Sequence, residues 1–335
     1  MKTAQVTQGR SNVPLTAGHS TGLEYTRGVI YCLIATVSWG SLFPLMTKAL
    51  GILDPFTFTS FRYGGAGIAF ACFLYWKEGR VAFSLRGERI FLAWFLGSLG
   101  FAGFGFLVFL GQKMAGPAGA LNASIMMATQ PMLNMIVNWK IRGIRPPLPS
   151  FCFILLSFTG VVLVITDGRL SDALHGRQDF SADLVIVLGA LCWVIYTNGA
   201  SAFRGWSAYR YTTITTMLGM SSILAINGAL FALHVVPVPD LHTMRDVTPY
   251  LAYAAAVPGF LGVLSWNVGN KIITPMNGVL FMDVIPLTAF VISALQGVIP
   301  SDIQIVGAVC TACAIVLNNF YLRRVSMFAS QRKNL

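Results

Sequence analysis

The chain has 335 residues, of which 55% are hydrophobic and only 10% charged. A soluble domain carries about 25% charged residues, so a water-exposed globule of this length is excluded. The formal net charge of +11 does not point to nucleic acid, because the basic residues lie in loops between apolar runs, the pattern that membrane insertion imposes.

Residues 1–27 are polar and end at Arg27. They hold no apolar stretch followed by a cleavage site, so a cleaved signal peptide is not expected and the segment reads as a disordered cytoplasmic tail. A spanning helix needs about 20 mostly apolar residues. Such runs follow at 28–50, 55–76, 90–112, 118–138, 148–166, 183–203, 211–234, 249–269, 276–299 and 303–322. A basic tail over 323–335 closes the chain. The longest connections, 167–182 and 235–248, leave no room for a soluble domain. The expected fold is an all-α integral membrane protein of ten transmembrane helices.

Lys and Arg set the orientation. With the N-terminus in the cytoplasm, only Lys113, Arg169, Arg177 and Arg245 fall on the far side, and Lys48 and Arg62 lie inside spans. All the others fall on the cytoplasmic side, and both basic tails land there. Trp76, Trp139, Trp206, Tyr209, Tyr211, Tyr250 and Tyr321 sit at span ends, where amphipathic rings suit the interface. Trp39, Trp193 and Trp266 sit near mid-span and need another explanation.

The spans divide into two sets of five, over 28–166 and 183–322. Pro131 in span four is matched by Pro286 in span nine, and Pro149-Ser150 before span five by Pro300-Ser301 before span ten. Trp39 and Trp193 lie at similar offsets in spans one and six. An odd number of spans per set places the halves in opposite orientations, as in secondary transporters built from inverted repeats. Pro44, Pro131, Pro258 and Pro286 each free a backbone carbonyl four residues earlier. In lipid, such carbonyls need a neighbouring group or a water-lined cavity.

Several residues in order and spacing carry a family resemblance: Trp39-Gly40-Ser41 with Lys48, then Asp54-Pro55 followed by Phe61-Arg62-Tyr63. The stretch from Gly119 to Pro131, Trp266-Asn267 with Gly269, and Pro286 complete the set. Together they resemble EamA-type members of the drug/metabolite transporter superfamily over residues 28–322. The resemblance implies ten helices in two inverted five-helix repeats around a central cavity, and export of metabolites. Members of that family often carry Glu at the ends of helices four and nine. Here those regions read Lys140-Ile141-Arg142 and Val298-Ile299-Pro300, so no role of that Glu is carried over.

Ionisable residues inside a membrane are costly and mark function by default. Asp283 is the one acidic residue clearly inside a span, roughly 10 Å below the cytoplasmic interface by helical rise. It reads either as a proton acceptor or partner for a substrate amine, or as a carboxyl that is capped by a serine or backbone group or reaches cytoplasmic water. Arg62 and Lys48 read as structural charges that snorkel or bind carbonyls. In span four, Asn122, Met126, Gln130, Asn134 and Asn138 recur every four residues and share one face. That face either lines a pathway or bonds to neighbouring helices. Trp39, Trp193, Tyr196 and Trp266 could form aromatic walls, with Asn267 and Asn270 beside them; ordinary packing is the alternative. Gly97, Gly100 and Gly103 read as a close helix contact. The expected substrate-binding set is therefore Trp39, Asn122, Met126, Gln130, Trp193, Tyr196, Trp266, Asn267, Asn270 and Asp283.

A secondary transporter, and an exporter, is the expected function, with small metabolites such as amino acids, amines or related compounds as cargo. A sugar-phosphate or nucleotide-sugar exchanger of the same superfamily is the rival within transport. Phosphate calls for cations, and only Lys48 and Arg62 lie in spans. A membrane-embedded enzyme is the rival of a different class. His19, His175, His234 and His242 lie in the tail, in loops or at span ends, and no nucleophile motif or paired carboxylates fall in the spans. Cys310 and Cys313 form a C-x-x-C inside an apolar run and read as small packing residues. No P-loop appears, so no cofactor or nucleotide is called for. The expected partners are the lipid bilayer, a small-molecule substrate and protons. The expected location is a bacterial inner membrane, with both termini cytoplasmic.

Overall fold

The structure is a computed structural model that describes residues 22–116, 123, 126–143, 148–166, 168, 180–295 and 301–331. Regular structure among the described residues is helical throughout. The first half contains α1 (Gly22–Gly40), α2 (Leu42–Ile52), α3 (Pro55–Glu78), α4 (Ile90–Gly97), α5 (Phe104–Met114), α6 (Gln130–Arg142) and α7 (Leu148–Thr166). The second half contains α8 (Phe180–Gly199), α9 (Ala208–Ala232), α10 (Leu241–Ala254), α11 (Val263–Ile273), α12 (Pro275–Gly278), α13 (Val284–Leu295) and α14 (Asp302–Gln331).

Among the described residues, five helical stretches are long and apolar enough to cross a membrane: Gly22–Ile52, Ile90–Met114, Ser181–Ala202, Ala208–Ala232 and Leu241–Ile273. Shorter apolar helices run over Leu148–Leu163, Val279–Thr288 and Asp302–Asn318. The expected spans at 28–50, 90–112, 183–203, 211–234 and 249–269 fall on the first group. Those at 148–166, 276–299 and 303–322 fall on the second. The run at 55–76 lies in α3, whose 24 residues are diluted by hydroxyls and Arg62. The run at 118–138 is partly outside the described residues, and α6 carries its second half.

Local chemistry sets several boundaries. Asp54 caps α3 by accepting hydrogen bonds from the backbone N–H of Phe56 and Thr57, both 2.9 Å, and Pro55 follows at the first helical position, where its missing N–H costs nothing. Ser207 caps α9 through the N–H of Arg210. Each of the four mid-span prolines accompanies a break. The first span parts at Ser41, three residues before Pro44. Residues 128–129 form a turn just ahead of Pro131. Pro258 lies inside a π-helical stretch, Ala255–Gly262, that joins α10 to α11. A 3-10 segment, Val279–Asp283, leads into α13 and Pro286. Proline removes a donor and crowds the preceding turn, so regular hydrogen bonding fails at these points.

A second π stretch, Ser98–Gly103, joins α4 to α5. Sequence reading took its glycines as a close helix contact and did not anticipate the wider winding. The contact is real: a Cβ at Gly97 would lie 2.0 Å from the Thr215 carbonyl oxygen, and one at Gly100 would lie 2.5 Å from the Tyr196 ring. The principal long-range pairings are α7 with α14, α5 with α8, α1 with α11, and α3 with α9. The outer surface is greasy. Ile303, Val306, Val309, Val316, Leu317 and Phe320 of α14 are all exposed, which suits lipid and would be untenable in water.

Candidate functional site

The three mid-span tryptophans converge. Trp39 at the end of α1 meets Trp193 of α8 edge-on, with ring centroids 5.2 Å apart, and Trp266 of α11 at 5.3 Å. Tyr196 lies one turn from Trp193 at 5.1 Å, and Phe104 of α5 touches Trp193 at 5.2 Å. The indole N–H of Trp39 donates to the Pro258 carbonyl at 2.9 Å, so the broken π stretch finds a side-chain partner there. Trp266 donates to Thr197 Oγ1 at 3.0 Å. Asn267 donates to both the Tyr196 hydroxyl and Thr212 Oγ1, each at 2.8 Å, and the Tyr211 hydroxyl donates to the Tyr196 carbonyl at 2.7 Å. These hydrogen bonds tie Trp39, Tyr196 and Trp266 to the helices behind the wall.

Beside that wall lies a narrow, largely enclosed cavity of about 20 Å³, room for roughly one water, so a cargo can enter only when the surrounding helices move apart. Its lining draws Trp39, Arg62, Tyr63 and Gln130 from the first half and Trp193, Val263 and Met282 from the second. Polar atoms cluster here without partners. Among the described residues, Arg62 Nε and Nη1, the Tyr63 hydroxyl, Gln130 Oε1 and Trp193 Nε1 are all buried and make no hydrogen bond. Arg62 is 1% exposed. Its guanidinium lies over the Tyr63 ring at 4.7 Å and near the Phe109 ring at 5.5 Å. In place of the expected snorkelling or carbonyl binding, Arg62 keeps Nε and Nη1 buried, and neither meets a backbone oxygen among the described residues. Lys48, by contrast, is exposed, as expected near a span end.

Asp283 stands apart. It lines a different, smaller pocket between α7 and α14 with Ser157 and Asn318. Ser157 Oγ donates to Asp283 Oδ2 at 2.5 Å, which is the serine cap weighed as one alternative from sequence. Asp283 Oδ1 and both side-chain polar atoms of Asn318 are buried without a partner among the described residues. The polar face of span four divides its work. Gln130 faces the cavity, while Asn134 Oδ1 accepts from Asn198 of α8 at 2.6 Å and from Asn138 at 2.9 Å. Met126 is half-buried against the main core. Asn270 donates to the Trp266 carbonyl at 2.8 Å, leaving its Oδ1 unpartnered. Asn122 lies outside the described residues.

Of the residues singled out from sequence, Trp39, Gln130 and Trp193 line the cavity, and Tyr196, Trp266 and Asn267 form the network behind it. Tyr63, Phe109, Met127 and Met282 were missed as lining. Tyr63 had one usable signal, its place beside an intramembrane arginine.

The model of the EamA-like transporter family matches this chain twice, over residues 26–166 and 180–320. The chain belongs to the EamA-like transporter family. The two EamA-like matches follow one another along the sequence and correspond to the two halves whose helices meet at the cavity. An uncharacterized transporter, YrdR, of Bacillus subtilis (strain 168) is 34% identical over 297 residues, covering 89% of this chain and 92% of that one. Another from the same organism, YyaM, is 27% identical over 285 residues, covering 85% and 90%. One protein of known crystal structure superposes with a TM-score of 0.71 at 17% identity, over 90% of this chain and 99% of the other. At that identity the likeness establishes the shared fold.

Proposed function

We propose that this EamA-like protein is a secondary transporter that exports small metabolites such as amino acids, amines or related compounds by alternating access. In this reading, ten helices form two inverted five-helix repeats, 28–166 and 183–322. Residues 1–27 and 323–335 are cytoplasmic tails, and the protein sits in a bacterial inner membrane. It performs no catalysis.

The observation that carries the reading is the enclosed cavity between the two halves, bounded by helices that break beside it. Pairings between the halves support the inverted arrangement. Span three meets span six through α5 and α8, and span eight meets span one through α11 and α1. Exchanging the halves turns each pairing into the other. Both span three and span eight contain a π stretch. Such stretches, with the breaks at the prolines, are places where a helix can bend without losing a regular ladder. Bending there would open the cavity to one side and close it to the other.

Trp39, Gln130 and Trp193 are the proposed substrate contacts, and Trp266, Tyr196, Asn267 and Asn270 their support, with Met126 and Asn122 along the same path. Asp283 is the proposed coupling site, taking up and releasing a proton in its own pocket rather than touching the cargo. The test is a flux screen in proteoliposomes across amino acids, amines and sugar phosphates, with and without a pH gradient. Movement of an amino acid, an amine or a related compound is expected. Exchange of a phosphorylated sugar, with no flux of the other classes, would overturn the reading in favour of the sugar-phosphate alternative.

A further inference from the structure

Arg62 occupies an unusual position. A buried charge is normally paired, because an uncompensated one is strongly unfavourable. Among the described residues Arg62 makes no ion pair and no hydrogen bond, and the cavity lining includes no acidic side chain. Of the two carboxylates buried among the described spans, Asp283 is engaged by Ser157 in another pocket, and Asp183 lies in the first turn of α8, outside the cavity lining. The Tyr63 and Phe109 rings offset part of the charge through their faces, yet leave the N–H donors unfilled.

The unfilled polar atoms of the residues around this space are biased in one direction. Arg62 Nε and Nη1 and Trp193 Nε1 are donors only, and the Tyr63 hydroxyl can donate. Gln130 Oε1 is the lone pure acceptor among them. Once the helices around it part, this donor-rich, singly positive cluster suits a group rich in acceptors and carrying one negative charge. Guanidinium and carboxylate form the strong charge-assisted version of that pairing. The remaining walls, Trp39, Phe104, Phe109 and Trp193, are aromatic and suit an apolar body. A simple amine would place a second positive charge beside an already unpaired one. A phosphate dianion would exceed the single charge available.

We propose that Arg62 is a substrate-binding residue, taking the carboxylate of a monoanionic cargo whose aromatic or apolar body lies against Trp39, Phe104, Phe109 and Trp193. The assignment rests on the transport reading and narrows it: the cargo carries a carboxylate, and simple amines are not substrates.

The test uses the purified full chain and three probes that share a phenyl group: phenyllactate, its near-isosteric amide phenyllactamide, and the smaller phenethylamine. Binding is followed by tryptophan fluorescence, since Trp39 and Trp193 line the site. The acid is expected to bind about tenfold or more tightly than the amide, and the amine is expected not to saturate. Arg62→Met removes the preference for acid over amide, and Arg62→Lys restores part of it. If Arg62→Met does not fold, the acid-to-amide ratio of the unaltered protein still decides. Equal binding of acid and amide, tighter binding of the amine, or binding of none of the three overturns the assignment. Proteoliposome flux separates this from the transport reading. Movement of solutes with no preference for a carboxylate sinks the role of Arg62 alone. Binding of phenyllactate with no flux of any solute sinks transport alone.

Discussion

Asp283 and Arg62 are both buried in this bundle, and the protein treats them differently. Asp283 has a hydroxyl donor from Ser157 and lies between α7 and α14, the helices that run against each other along the edge of the fold. Arg62 lies in the cavity between the halves with aromatic faces around it and no oxygen partner among the described residues. A carboxylate with a local donor is at least partly self-sufficient. A guanidinium without an acceptor is complete only when something brings one. In the proposed account the two residues have different tasks: Asp283 serves the driving ion and Arg62 the cargo.

The largest expected effect comes from separating those tasks. Arg62→Met should cut carboxylate exchange by about tenfold or more. Asp283→Asn should leave exchange across equal pH intact but abolish the response to a pH gradient. Loss of both activities in both variants would collapse the distinction. A smaller effect is expected at Trp193. Trp193→Phe keeps a ring on the wall but removes the unpartnered indole N–H, so it should raise the apparent Kd for the acid several-fold without lowering thermal stability. An unchanged Kd would reduce Trp193 to a packing residue.

Behind the wall, Asn267→Ala should lower stability by about 1–3 kcal/mol, read as a fall in thermal midpoint in detergent. It leaves the buried Tyr196 and Thr212 hydroxyls without the amide that donates to both. The smallest change is expected for Ser157→Ala, which removes one hydrogen bond to Asp283. It should shift the pH dependence of gradient-driven flux while leaving phenyllactate binding in the cavity unaltered. A change in that binding would show that the two pockets are not separate.

Much of the frame was legible in the sequence because its signals are chemical. Proline cannot complete a helical ladder, so Pro44, Pro131, Pro258 and Pro286 marked the breaks wherever they fell. Tryptophan away from the interface is uncommon enough that Trp39, Trp193 and Trp266 stood out, and they do meet. Gly97 and Gly100 announced close contacts, which the Thr215 backbone and Tyr196 ring supply. What they did not announce was π winding, which depends on how the whole helix packs. Arg62 was found as a buried charge, but its surroundings come from α5 and α8, far along the chain. Phe109 and Met127 look like any other core residues, and only their shared cavity distinguishes them. Asn134 could have lined a pathway or bonded across helices. The distance to Asn198 decides for bonding, and no spacing rule contains that distance.

The most direct test of the account is counterflow in proteoliposomes. Vesicles are loaded with unlabelled phenyllactate and placed in trace labelled phenyllactate at neutral pH, where the ionised acid crosses bare lipid slowly. The account predicts transient accumulation of label above equilibrium for the unaltered protein and for Asp283→Asn, but not for Arg62→Met. Accumulation that persists unchanged in Arg62→Met, or none with the unaltered protein, would contradict it.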